Sequence, residues 1–168
     1  MTSFKKICLL ALLLIATISV QAQGAAENQP RIQKPADIAD RGINQFVGEV
    51  FSLYNLVYAL QFDLQNMENE VAGMEIDAQL RSEGAISNVK AKLETFEDSF
   101  LFLQKGQKDL VGKVSTVERE GAKLHPSTLA DQAAANLGVC KTALEQAAAN
   151  INTQIDRTKA LRDRAAKL

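Results

Sequence analysis

Tryptophan is absent from this chain, histidine occurs once and cysteine twice. Each shortage closes off a class of chemistry. His125 has no second imidazole with which to share a metal. It stands before Pro126, where an exposed loop side chain is the plain reading. Of the two thiols, Cys8 falls in the N-terminal stretch and only Cys140 in the body of the chain, so no internal disulfide can staple the fold. No glycine-rich loop follows a strand-like run, which removes the phosphate-cradling motifs. The 19 basic and 20 acidic residues nearly cancel, leaving none of the basic excess that nucleic acid requires. There is no Asn-x-Ser/Thr acceptor, so no N-linked glycan is expected. Carboxylates do pair, as at Glu68 with Glu70 and Glu97 with Asp98. Adjacent charges off an apolar stripe read as a solvated face rather than an acid–base dyad in a cleft. No catalytic constellation, cofactor motif or metal motif remains, and the chain reads as a non-enzyme.

What is present begins with a secretory pattern. Lys5 and Lys6 precede an apolar run from Ile7 to about Val20, and Val20 and Ala22 occupy the −3 and −1 positions of a small-residue cleavage site. The expectation is a signal peptide over 1–22. An uncleaved anchor is the alternative, but the run is short of the ~20 apolar residues a bilayer core needs. Cys8 precedes the apolar run with no small-residue box before it, which argues against a lipoprotein signal. No later stretch is apolar for long enough to span a membrane. The protein is therefore expected outside the cell, or in the periplasm or envelope if bacterial.

Residues 23–35 are rich in Gln, Ala, Asn and Pro and read as a disordered leader. Residues 36–168 read as one helical domain, with Pro35 and Asp37 suited to a first helical turn. Beyond Pro35 the only proline is Pro126, and apolar residues recur at steps of three and four. The first stripe runs Ile43, Phe46, Val50, Leu53, Val57, Leu60, Leu64, Met67, Val71, Met74, Ala78. The second runs from Ile86 through Val89, Leu93, Phe96, Phe100 and Leu103 to Leu124, with Gln107 and Gly121 as its weak places. The third runs Ala133, Leu137, Cys140, Leu144, Ala147, Ile151, Gln154, Thr158, Leu161, Ala165, Leu168 and is rich in small residues. The phase slips near Gly84, a natural residue just past a helix end. A second break falls at His125–Thr128, where Ser127 or Thr128 can cap with Asp131 behind it. The pattern predicts helices over about 36–81, 86–124 and 128–166, an all-α, elongated antiparallel bundle of three long helices. Breaks at Gly73 or Gly106 would give four or five shorter ones. Acidic residues dominate from Asp63 to Asp98 and basic ones from Asp156 to Lys167. The two turns should bring those stretches to one end of the bundle.

A second apolar row, Val47, Phe51, Tyr54, Tyr58 and Phe62, sits beside the first stripe, and Phe96, Phe100, Leu101, Phe102 and Leu103 answer it on the second helix. A helix apolar nearly all round is covered on several sides or faces a partner or ligand. Phe51, Tyr54, Tyr58, Phe62 and Phe102 are thus the candidate patch, with a thickened core as the plain alternative. Cys140 lies on the third stripe and reads as a small buried hydrophobe. An odd cysteine in an exported chain also makes a homodimer worth testing. The resulting expectation is a secreted binding protein of effector, salivary or cell-surface type, contacting a protein partner. A carrier of lipid or other hydrophobic ligands is the alternative. In length, composition and all-helical format the chain is similar to insect apolipophorin III and to fungal hydrophobic-surface-binding cell-wall proteins, which implies the carrier reading. No motif is shared, and the polar faces lack the lysine border of lipid-surface helices. A self-assembling coiled coil is a third reading, weakened by the shortage of large anchors on the third stripe. A secreting host should release a product that begins at Gln23. N-terminal sequencing that finds Met1 on a membrane-bound product would instead favour the anchor.

Overall fold

The computed structural model describes residues 31–168; the expected signal peptide and the leader up to Pro30 lie outside the described residues. Three helices account for most of them: α1, Arg41–Ile76; α2, Glu83–Gly121; and α3, Ser127–Ala165, with a 3-10 turn at Ala78–Leu80. This is an all-α three-helix bundle. α1 and α2 run antiparallel, with Gly106 against Leu53, Lys113 against Glu49 and Lys92 against Glu70. α3 returns beside both, antiparallel to α2 and parallel to α1. Helix α1 continues through Gly73 and α2 through Gly106. A glycine there costs only ~1 kcal/mol, too little to break a helix whose apolar face is buried.

The three stripes meet in one interior. On α1 every stripe position from Ile43 to Met74 is buried except the half-buried Leu60, and on α3 every position from Ala133 to Ala165 is buried. On α2, Val89, Leu93, Phe100, Leu103 and Leu110 are buried, while Ile86, Phe96, Val114 and Val117 are half-buried. Each large apolar side chain so removed from water contributes roughly 1.5–3 kcal/mol. The two weak places of the second stripe have physical answers. Gln107 lies in the core with its amide Nε2 donating to the Leu144 carbonyl at 3.2 Å. At Gly121 a Cβ would stand 3.3 Å from the Ala133 Cβ and 3.5 Å from the Ile43 Cδ1. Glycine there lets all three helices converge at that end.

The helix ends differ from the sequence expectation. α1 starts at Arg41 rather than near 36, because Asp40 caps it, accepting from the Ile43 N–H at 2.8 Å. It ends at Ile76 rather than near 81, and no left-handed glycine closes it: Gly84 lies inside the first turn of α2 and no described glycine has positive φ. The Arg81 guanidinium reaches back to the carbonyls of Met74 and Glu75, satisfying terminal acceptors that a glycine motif would otherwise serve. Ser82 then caps α2 by accepting from the Ala85 N–H at 3.2 Å. At the second turn Pro126 occupies the cap position and provides no side-chain cap bond. Ser127 is already the first helical residue, so the capping box with Asp131 does not form. Leu144 is 1% exposed, and Leu144→Ala should cost about 2–5 kcal/mol of stability in urea unfolding. A loss under 1 kcal/mol would mean that the third helix is not part of the common core.

Candidate functional site

The extra aromatic row on α1 is covered by the chain's own N-terminal approach. Residues 31–40 form no helix and run as a strap along the α1–α3 side of the bundle. The Ile38 N–H donates to Asn44 Oδ1 at 2.9 Å and the Ile38 carbonyl accepts from Asn44 Nδ2 at 2.7 Å. Asn136 Nδ2, on α3, donates to the Ala36 carbonyl at 2.9 Å. The Ile32 N–H donates to the Tyr54 hydroxyl at 3.0 Å, and that hydroxyl donates in turn to Gln146 Oε1 at 3.1 Å. The Arg31 guanidinium lies 4.9 Å from the centre of the Tyr58 ring, within cation–π range. The lengths agree: Arg31 to Ile38 spans about 23 Å of extended chain, and Asn44 to Tyr58 rises about 21 Å along the helix. Arg31–Pro35, expected within a disordered leader, is thus an ordered part of the strap.

This placement divides the candidate patch. Tyr54 and Phe51 are 0% and 3% exposed; they belong to the interior rather than to an open surface, and their rings stand 5.8 Å apart. Tyr58 is half-buried, its ring 4.9 Å from that of Tyr54. Phe62 and Phe102 keep 39% and 37% of their surface in water, and Leu101 keeps 48%. Burial, with the Tyr58 hydroxyl second, holds the Tyr54 phenol above its ordinary range, so it stays a proton donor at neutral pH. Sequence periodicity identified the row but not its cover. Ile32 and Ile38 were the available signal, two aliphatics in an otherwise polar leader.

A second constellation ties α1 to α3. Arg157 Nε donates to Glu68 Oε1 at 2.9 Å, while its Nη2 reaches Gln65 Oε1 at 2.7 Å and its Nη1 reaches Gln154 Oε1 at 2.9 Å. Further along, Arg164 forks onto Glu75 at 2.9 and 2.7 Å, and Arg162 of α3 pairs with Glu97 of α2. Hydrogen bonding from Arg164 holds the Glu75 carboxyl below its usual range. The acidic and basic stretches do meet at one end of the bundle. Pairs as exposed as these set register more than stability. Asp63 is a different case, raised by burial alone.

No group of three or more His, Cys, Asp or Glu among the described residues is placed to hold a metal ion, and no described helix is long and apolar enough to cross a membrane. A shallow groove of about 160 Å³ lies beside the α2–α3 turn, lined by Glu118, Gly121, Ala122, Ala130, Ala134 and Leu137. That is smaller than the roughly 300–1,000 Å³ typical of small-molecule sites. No protein-family model matches the chain, and neither the curated proteins nor the solved structures contain a significant match.

Cys140 is fully buried, and burial pushes its thiol up to about 11 from 9.0. The folded thiol should therefore resist a disulfide-exchange reagent at pH 8 and react only on unfolding. The linkage sign follows. Below pH 9 the thiol is protonated in both states. Between about 9 and 11 only the unfolded thiol ionises, so this contribution to stability is lost as pH rises through that window. Fast labelling of the folded protein at pH 8 would contradict the burial.

Proposed function

We propose that this protein is an exported, non-enzymatic binding module whose helical bundle docks a protein partner. The observation that supports it most is the large apolar side chains exposed on two helices, Phe62 on α1 and Leu101 on α2. The antiparallel register brings Phe62 to about the level of Phe100 along the axis, but Phe62 lies half a turn round α1 from Leu53, which meets α2, so Phe62 and Leu101 stand as separate anchors. A few large anchoring side chains carry most of the energy of a protein interface. The half-buried Tyr58, with Arg31 on its ring, adds the residue types enriched at such sites.

The alternative of a lipid carrier requires the helices to part and turn their apolar stripes outward. Opening between α1 and α3 would break the Arg157 cluster and the Tyr54–Gln146 bond and leave Gln154 and Thr158 against lipid. That cost weighs against it.

Phe62→Ala combined with Leu101→Ala should weaken partner capture about 5- to 30-fold, the loss of one to two anchors, with the helical spectrum and unfolding midpoint little changed. Unaltered capture by the double variant would remove this reading. Flotation of the wild-type protein with phosphatidylcholine vesicles would favour the carrier.

A further inference from the structure

The strap and the surface beneath it are mismatched. No residue from 31 to 40 is fully buried; Asp40 stays fixed as the cap of α1, and the segment before it is held by four hydrogen bonds from groove side chains to its backbone, one cation–π contact and two partly buried isoleucines. The row beside it is apolar: with the strap in place Val47, Phe51 and Tyr54 are all buried. A weakly held segment over a strongly apolar groove is the part of a fold expected to open locally before the whole unfolds. The mode of recognition also matters. Asn44 reads one strap residue's N–H and carbonyl together, Asn136 reads a second carbonyl, and the Tyr54 hydroxyl reads a second N–H. These contacts recognise extended backbone, whichever chain supplies it. Side-chain contacts come from the cation on Tyr58, the aliphatics at the positions of Ile32 and Ile38, and the half-buried Pro35 between them.

From this we infer that the α1–α3 groove is a site for an extended peptide, occupied in the resting protein by the strap. Its partner is an extended segment of another protein, with a cation followed directly by one aliphatic residue and by a second six positions later. The inference rests on the proposed binding function and goes beyond it by adding a site apart from Phe62 and Leu101 and by giving the form of the partner taken there. Displacement of residues 31–38 exchanges one segment for another on the same donors and acceptors, while Asp40 remains the cap of α1. The strap acts as an internal competitor and sets the affinity of anything that replaces it.

The test uses the full mature chain and a fluorescein-labelled peptide of residues 31–39. Ile32→Asp with Ile38→Asp removes both anchors of the resident strap. The variant should bind the peptide saturably at 1:1 and at least about tenfold tighter than wild type, because its own strap no longer competes. Adding Asn44→Ala should weaken that binding severalfold, as loss of backbone hydrogen bonds requires, and a scrambled peptide should not bind. Should the double variant fold poorly, wild-type chain labelled with nitrogen-15 gives a second reading. Excess unlabelled peptide should shift the Ile32 and Ile38 amides and the Asn136 side-chain amide together. No shift at millimolar peptide, or a folded double variant that ignores the peptide, overturns the inference. So does a wild-type dimer that grows with concentration and is broken by the peptide, which would assign the groove to a second copy's strap. Vesicle binding by the double variant in place of peptide binding overturns it as well. Capture that is lost in Phe62→Ala with Leu101→Ala but unchanged by Ile32→Asp with Ile38→Asp sinks this site while leaving the binding function standing.

Discussion

The bundle depends on an asymmetry of side-chain size. α1 supplies Phe46, Leu53, Leu64 and Met67 together with a second row of Val47, Phe51 and Tyr54. α3 supplies Ala133, Cys140, Ala143, Ala147 and Ala165 among its buried positions. Dense packing requires large residues on one helix to meet small ones on another. The small face of α3, with Gly121 of α2 opposite it, brings the axes together at one end of the bundle. The same asymmetry leaves α1 with more apolar surface than two neighbouring helices can cover. The strap from Arg31 to Asp40 covers part of the excess, and Phe62 stays partly in water beyond it.

Polar groups inside this arrangement define its alignment. Gln107 would be a liability in an apolar core, yet it finds the Leu144 carbonyl across the α2–α3 seam. Gln154 and Thr158 are buried on α3; Gln154 meets Arg157, and the Thr158 hydroxyl bonds back to the Gln154 carbonyl. An unpaired buried amide costs more than a made bond gains. A shift of α3 along α1 by one turn would separate Arg157 from Glu68 and Gln65. Heptad stripes alone tolerate such a shift, since one apolar layer resembles the next. The polar contacts do not, and they account for the matched charges at the far end of the bundle.

The apolar stripes were legible in the sequence because helical burial has a period, and a period survives without coordinates. Ile43 to Met74, Val89 to Leu110 and Ala133 to Ala165 could be placed from three- and four-residue spacing, and the number of helices and the pairing of acidic with basic stretches followed. Helix ends were less legible because they are decided by single hydrogen bonds. Gly84 has the composition of a helix stop, but Arg81 supplies the cap from outside the helix. Ser127 has the composition of a cap, but Pro126 takes that position.

By itself the sequence determined the class, the three long helices, the core stripes and the presence of an aromatic row too large for one seam, since all of these are local or periodic properties. Only the tertiary structure decided that Phe51 and Tyr54 lie inside while Phe62 stays out. Their exposure depends on a ten-residue segment with no periodicity of its own, held by the side chains of Asn44, Tyr54 and Asn136, and a contact between residues 100 apart in the chain, such as Asn136 with Ala36, leaves no trace in local pattern.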